Sequence, residues 1–83
     1  MAYKKQKEVS QVLTLDLHGF LVDNVFDAID AFLRKAQNSN CSKVRIITGK
    51  GSGKVRAKTL EYLKIAHYKP VQENEGSFLV ALT

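Results

Sequence analysis

The 83-residue sequence predicts an α/β fold of the α+β kind, a two-layer sandwich in which a four-stranded mixed sheet carries two helices on one face. Three observations lead to this prediction. Segments of strand and helix periodicity follow one another in the order β-α-β-α-β-β, the first strand alternates instead of running continuously apolar, and the length suits one domain. We expect that domain to span residues 12–83. Residues 1–11 are polar and basic without periodicity, which predicts a flexible arm.

The first half of the chain predicts one β-α-β unit. Residues 12–18 alternate between apolar and polar side chains, as in a half-buried strand. From residue 22 to about residue 36, apolar side chains recur at intervals of three and four, which predicts an amphipathic helix that residues 38–40 end. Residues 43–48 are rich in β-branched side chains and predict a second strand parallel to the first.

The second half predicts a helix and a hairpin. The helix covers about residues 54–66, and Pro70 prevents its continuation. Short strands at residues 69–73 and 77–83 are joined by residues 74–76, whose Asn-Glu-Gly sequence is typical of a turn.

The charges are sorted along the chain. The net charge is +5, and residues 43–69 hold eight basic side chains against one acidic one, while residues 16–30 hold four aspartates and no lysine or arginine. Such sorting favours a polyanionic partner such as nucleic acid, through counterion release and steering. The alternative is a lysine-rich surface that serves only solubility.

Cysteine and hydropathy limit the remaining classes. The single cysteine, Cys41, excludes an intramolecular disulfide and a multi-cysteine zinc site. No apolar run approaches the roughly 18 residues of a membrane span, and a small domain without disulfides suits a reducing compartment. We therefore expect a cytoplasmic protein without membrane partners, and a monomer.

Two polar residues end the first predicted strand. If the strands at residues 12–18 and 43–48 are parallel neighbours, their carboxyl ends lie side by side, where open α/β sheets bind ligands. Asp16 and His18 lie two residues apart, so both side chains project to one face. A carboxylate orients a nearby imidazole and raises its basicity, which suits general acid–base catalysis. The alternative is structural: a half-exposed histidine, with Asp16 bonded to a nearby backbone amide.

A glycine-rich loop follows the second predicted strand and leads into a helix. Its glycines allow backbone N–H groups to turn towards an anion, and the helix N-terminus adds positive potential, so phosphate is the expected ligand. The residues predicted to hold it are Thr48, Gly49, Lys50, Gly51, Ser52, Gly53, Lys54 and Arg56. The loop is not a P-loop, because Thr48 and Val55 stand where that motif has Gly and Ser or Thr. The alternative is a connector without a ligand.

A resident metal has little support, since one histidine and one carboxylate are too few ligands for a tight zinc site. A Mg²⁺ or Mn²⁺ ion held partly by substrate phosphate stays open.

Leu15-Asp16-Leu17-His18-Gly19, followed by a helix, a strand and the sequence Thr48-Gly49-Lys50-Gly51-Ser52-Gly53, resembles the Smr (small MutS-related) domain family over about residues 13–83. The resemblance implies the two-layer sandwich, nucleic-acid binding and often endonuclease activity on DNA or RNA. It identifies Asp16 and His18 with the family's D-x-H element, and Gly49 and Gly51 with its G-x-G element. Many members have histidine at the position of Thr48, so a second imidazole is absent here. Members also occur fused to larger MutS-like proteins or associated with ribosome-associated machinery.

The leading hypothesis is an endonuclease of low sequence specificity that nicks DNA or cleaves RNA, with His18 as the acid or base and Asp16 orienting it. On RNA the ribose 2′-hydroxyl can be the nucleophile, whereas on DNA a water must attack and a divalent ion is expected to help. The runner-up is a non-catalytic DNA- or RNA-binding module, which Thr48 favours. A third hypothesis is a protein-interaction domain.

Overall fold

The computed structural model describes residues 12–51 and 53–82. The predicted arm at residues 1–11 lies outside the described residues, as do Ser52 and Thr83. The elements follow the predicted order: β1 (Val12–Asp16), α1 (Val22–Asn38), β2 (Lys43–Ile47), α2 (Gly53–Ile65), β3 (Pro70–Asn74) and β4 (Ser77–Ala81).

The four strands form one mixed sheet in the order β1-β2-β4-β3. β1 and β2 are parallel, whereas β4 is antiparallel to both of its neighbours. Side chains from α1, α2 and one face of the sheet join a single buried cluster, so both helices cover the same face and the predicted two-layer sandwich is confirmed. The cluster consists of Leu17, Val25, Ile29, Leu33, Ala36, Cys41, Val44, Ile46, Val55, Leu63 and Val80.

The opposite face of the sheet carries no helix. Because strand side chains alternate between faces, the residues between the core positions point to this helix-free face. Asp16, Ile47 and Ser77 are register partners across β1, β2 and β4 and form its last row at the carboxyl end of β1. Arg45 of β2 lies in the row before it. The first residue of the predicted catalytic pair therefore projects away from the helices.

Both helices end in the same backbone arrangement. Asn40 after α1 and His67 after α2 have φ of 60° and 66°. The next amide donates to the carbonyl five residues earlier, Cys41 to Ala36 and Tyr68 to Leu63 at 3.3 and 2.8 Å. This is the Schellman termination, which satisfies carbonyls that a helix end leaves free. It gives His67 a structural position, as the sequence predicted.

Three predicted boundaries differ from the structure. β1 ends at Asp16 rather than residue 18 because a turn begins there, α1 continues to Asn38, and α2 begins at Gly53. The buried face of α2 includes Thr59, which the apolar pattern did not identify, while the predicted Leu60 is half-buried. No helix in the described ranges is both long and apolar enough to cross a membrane.

Candidate functional site at the carboxyl ends of β1 and β2

A tight turn presents His18 at the end of β1. The amide of Leu17 donates to the carbonyl of Ile47 at 2.7 Å, so pairing with β2 continues one residue beyond the strand. The amide of Phe20 then donates to the carbonyl of Leu17 at 3.0 Å and closes a four-residue turn. Gly19 has φ of +81°, the conformation that the third position of a type II turn requires. The turn leaves His18 exposed while its neighbour Leu17 is fully buried.

Asp16 holds both the backbone and the ring of His18. Its Oδ1 atom accepts a hydrogen bond from the backbone N–H of His18 at 3.0 Å and lies 3.1 Å from the ring Nδ1. These two hydrogen bonds, the backbone one first, lower the pKa of the Asp16 carboxyl. Since an ionised carboxylate only accepts, the proton of the neutral imidazole lies on Nδ1, and Nε2 is the nitrogen able to take another. The structural and catalytic interpretations are therefore compatible, because one carboxylate does both.

Three glycine contacts join the two sequence motifs. A Cβ at Gly49 would lie 3.2 Å from the Cβ of His18, so the loop backbone packs directly against the histidine. The carbonyl of Gly76 accepts hydrogen bonds from the amides of Thr48 and Gly49 at 2.7 and 3.2 Å. A Cβ at Gly76 would in turn lie 3.2 Å from the carbonyl carbon of Gly49. The β3–β4 turn thus supports the loop, a role for Gly76 that its place before the last strand had not revealed.

The loop residues predicted to hold phosphate lie in different environments. Lys50, Gly51, Gly53 and Lys54 are exposed, and Gly49 is half-buried. The Nζ atom of Lys50 lies 3.9 Å from the carboxylate of Glu75, and both side chains are at least three-quarters exposed. These residues are available to a ligand at the end of the sheet. Ser52, also predicted here, lies outside the described residues.

Thr48 is placed differently from the prediction. Its side chain is buried, with 4% exposed, on the helix-covered side of the sheet. Its hydroxyl lies 3.4 Å from the carbonyl of Gly76, which it meets as a donor. The expectation that this hydroxyl faces a phosphate is therefore not supported, since its surroundings are protein backbone.

Arg56 is the second departure. Its guanidinium donates to the Oε1 atom of Gln72 at 3.0 Å and lies 5.3 Å from the ring centroid of Phe78. Gln72 belongs to β3, which β2 and β4 separate from β1. Arg56 consequently ties α2 to the far edge of the sheet, and the prediction that it binds the same phosphate as the loop is wrong on this geometry.

The aromatic residues divide into packed and exposed ones. Tyr62 donates to Asp30 at 3.0 Å and Tyr68 accepts from Gln37 at 2.7 Å, so both link protein elements. By contrast, Phe20 is 39% exposed and directly follows the His18 turn, where the sequence had predicted no surface aromatic. Among the described residues, no three His, Cys, Asp or Glu side chains lie close enough together to hold a metal ion.

The chain is similar to characterised proteins along nearly its whole length. The Smr domain family model matches residues 15–82. The Endonuclease MutS2 of Staphylococcus saprophyticus is 34% identical over 83 residues, and that of Symbiobacterium thermophilum is 36% identical over 64 residues. These matches cover 95% and 77% of this chain but 11% and 8% of the relatives, so the chain spans about a tenth of their length.

Solved structures show the same fold. The crystal structure of the Smr domain of Thermus thermophilus MutS2 superposes with a TM-score of 0.76 at 26% identity, covering 87% of this chain and 99% of that one. The SMR domain of NEDD4-binding protein 2 gives a TM-score of 0.75 at 20% identity, covering 99% of this chain and 94% of that one. At the latter identity the likeness shows the fold alone.

Proposed function

This chain belongs to the Smr domain family, and from that premise and the geometry of its site we propose that it is a nucleic-acid endonuclease of low sequence specificity. The observation that carries the proposal is the arrangement of His18. Its side chain is 75% exposed, its Nδ1 atom is held by Asp16, and its backbone packs against the glycine loop. An oriented imidazole next to a set of loop amides is the pairing that phosphodiester cleavage requires.

On RNA the reaction needs no group beyond these. The Nε2 atom of His18 takes the proton of the ribose 2′-hydroxyl, whose oxygen attacks the adjacent phosphorus. The new O2′–P bond forms as the P–O5′ bond breaks, and the imidazolium returns its proton to the departing 5′-oxygen. Asp16 stabilises the imidazolium between these two transfers. On DNA a water replaces the 2′-hydroxyl, and Mg²⁺ or Mn²⁺ held partly by the phosphate would assist its attack.

The glycine loop supplies the second requirement, stabilisation of charge on the phosphate. The loop lies between the end of β2 and the first turn of α2, where backbone N–H groups are not used within the helix. Lys50 and Lys54 are exposed on this side and add positive charge. The relatives named Endonuclease MutS2 support the same chemistry.

One observation favours a non-catalytic binding module instead. Thr48 is buried, so the site offers one group that titrates near neutral pH. A single imidazole must act first as base and then as acid, whereas a site with two can divide these steps. A binding module predicts salt-sensitive affinity without turnover.

The deciding experiment compares three proteins on labelled single-stranded RNA and on supercoiled DNA, each with Mg²⁺ and with a chelator. The proteins are the wild type, His18→Ala and His67→Asn; asparagine tolerates the positive φ at residue 67 better than most residues. We expect His18→Ala to lose cleavage while retaining binding, and His67→Asn to retain both.

Cleavage by His18→Ala at the wild-type rate would overturn the assignment of this residue. Binding without cleavage by the wild type on both substrates would replace the endonuclease by the binding module. Products ending in a 2′,3′-cyclic phosphate would identify the 2′-hydroxyl as the nucleophile on RNA.

A further inference from the structure

An open recess of about 470 Å³ lies on the helix-free face of the sheet, beside the glycine loop. Its lining includes the backbones of Gly49 and Gly76 and the side chains of Arg45 and Glu73. Lys50 also borders it. The volume lies within the range of small-ligand pockets, and the glycines allow a planar group to approach the backbone closely.

The recess is continuous with the proposed catalytic site. Gly49 lines it and also packs against His18. Ile47 and Ser77 line it as well, and they share a register row with Asp16 on the same face. A nucleotide whose phosphate lies at His18 therefore has this recess as the adjoining concave surface on the face to which Asp16 points.

The polar groups of the recess form a fixed donor–acceptor pair. Arg45 donates from Nε to one oxygen of Glu73 at 2.7 Å and from Nη2 to the other at 2.9 Å, and Ser77 donates to the first oxygen at 3.0 Å. These contacts use about three of the roughly four acceptor positions of a carboxylate and two of the roughly five N–H groups of a guanidinium. Glu73 and Arg45 thus keep capacity for one further partner that both donates and accepts.

The charge state of the pair is well defined at neutral pH. The hydrogen bonds from Arg45 lower the pKa of Glu73, and the same bonds raise the pKa of Arg45. Glu73 therefore stays an acceptor without a proton, and it disfavours a carbonyl oxygen in front of it.

We propose that this recess, named here the Arg45–Glu73 recess, is a nucleobase subsite that binds the base next to the phosphate at His18. The inference rests on the proposed function and adds a base preference to it. Guanine, cytosine and adenine each present an amino group beside a carbonyl or ring-nitrogen acceptor, which matches Glu73 accepting and Arg45 donating. Uracil and thymine present carbonyls on both sides of one N–H, so they fit this pair less well.

Binding is tested first without any cleavage, by titrating the ¹⁵N-labelled protein with GMP, CMP, AMP, UMP and inorganic phosphate. The three amino-bearing nucleotides should shift the amides of Asn74, Gly76 and Ser77, while phosphate alone should shift the loop at residues 49–51. Equal shifts at Asn74 and Ser77 from phosphate or from UMP would overturn the subsite. Nucleotide-specific shifts in a protein that cuts nothing would retain the subsite and refute the endonuclease.

The base preference is tested on oligonucleotides that vary one base beside the cleaved bond. Glu73→Gln removes the carboxylate, and Glu61→Gln is the matched control because Glu61 also forms a surface ion pair, with Lys58 on α2. The ratio of rates for amino-bearing over uracil sites should fall by about fivefold or more in Glu73→Gln and stay unchanged in Glu61→Gln. An unchanged ratio in a Glu73→Gln protein that still gives a folded spectrum would overturn the proposal, while cleavage itself would continue to support the endonuclease.

Discussion

At Gly49 the backbone has φ of +83° and lies against the Cβ of His18, so this position has both a conformational and a steric requirement for glycine. Gly51, two residues further along the same loop, has neither, since a Cβ there would meet nothing within 4 Å. The family's two glycines therefore serve different purposes in this chain. The first positions the histidine, and the second leaves the loop surface open.

This difference gives a residue-scale prediction. Gly49→Ala should lower the free energy of unfolding by about 1 to 2 kcal/mol, because a side chain at positive φ is strained, and should displace His18 as well. Gly51→Ala is the control and should leave stability nearly unchanged. Urea unfolding measures the first effect, and the chemical shifts of the His18 ring measure the second. Equal losses of stability in the two variants would contradict this assignment of roles.

Thr48 shows what sequence comparison does not reveal at this scale. The motif indicates that an imidazole is missing, and restoring histidine is the obvious experiment. The structure instead buries residue 48 and surrounds its hydroxyl with the carbonyls of Gly49 and Gly76. A histidine introduced here would have to fit a buried space of threonine size. Loss of folding would therefore have to be separated from any gain of activity.

At the scale of elements, the contact between α1 and α2 includes an unusual tyrosine. Tyr62 of α2 packs edge-to-face on Phe26 of α1 at 5.3 Å and donates to Asp30 of the same helix. Burial, followed by the hydrogen bond to Asp30, raises the pKa of Tyr62 to about 12. Ionisation of this phenol would break the hydrogen bond between the two helices.

The corresponding prediction concerns alkaline pH. The protonated phenol is favoured in the folded state, so its contribution is complete below the ordinary value of 10.0 and is lost as pH rises towards about 12. Stability measured by urea unfolding should fall across this interval, and Tyr62→Phe should reduce the fall. An ultraviolet titration should show one tyrosine ionising well after the others. If Tyr62→Phe keeps the full dependence, the loss comes from another group.

The sequence predicted the elements better than their buried faces. The order of strands and helices followed from periodicity, turns and Pro70, which are local properties. Thr59 was missed because a hydroxyl does not count as apolar in a helical pattern, yet it is fully buried in α2. Its Oγ1 atom has no hydrogen-bond partner among the described residues, so its burial is a cost that packing of the helix must offset.

Over the whole molecule, the basic segment does not form one uniform surface. Arg45 pairs with Glu73 across 28 residues, and Arg56 bonds Gln72 across 16. Lys58 lies 3.5 Å from Glu61 and 5.3 Å from the ring centroid of Phe26. The sequence could count these cations but not assign them, because their partners are fixed only when β3 and the helices come together. The positive charge open to a polyanion is therefore concentrated near the loop end.

A salt titration tests this division of the charges. Each lysine that neutralises a phosphate adds roughly 0.7 to 0.9 to the slope of log affinity against log salt concentration. Lys50→Ala should therefore weaken nucleic-acid binding and reduce the magnitude of this slope by about one unit or slightly less. Arg56→Ala removes an equal charge from the same segment, but its guanidinium serves Gln72 and Phe78, so it should lower thermal stability and leave the slope unchanged. Equal reductions of the slope in both variants would show that the polyanion covers the α2–β3 side as well, which would place the bound strand across the helix layer rather than at the end of the sheet.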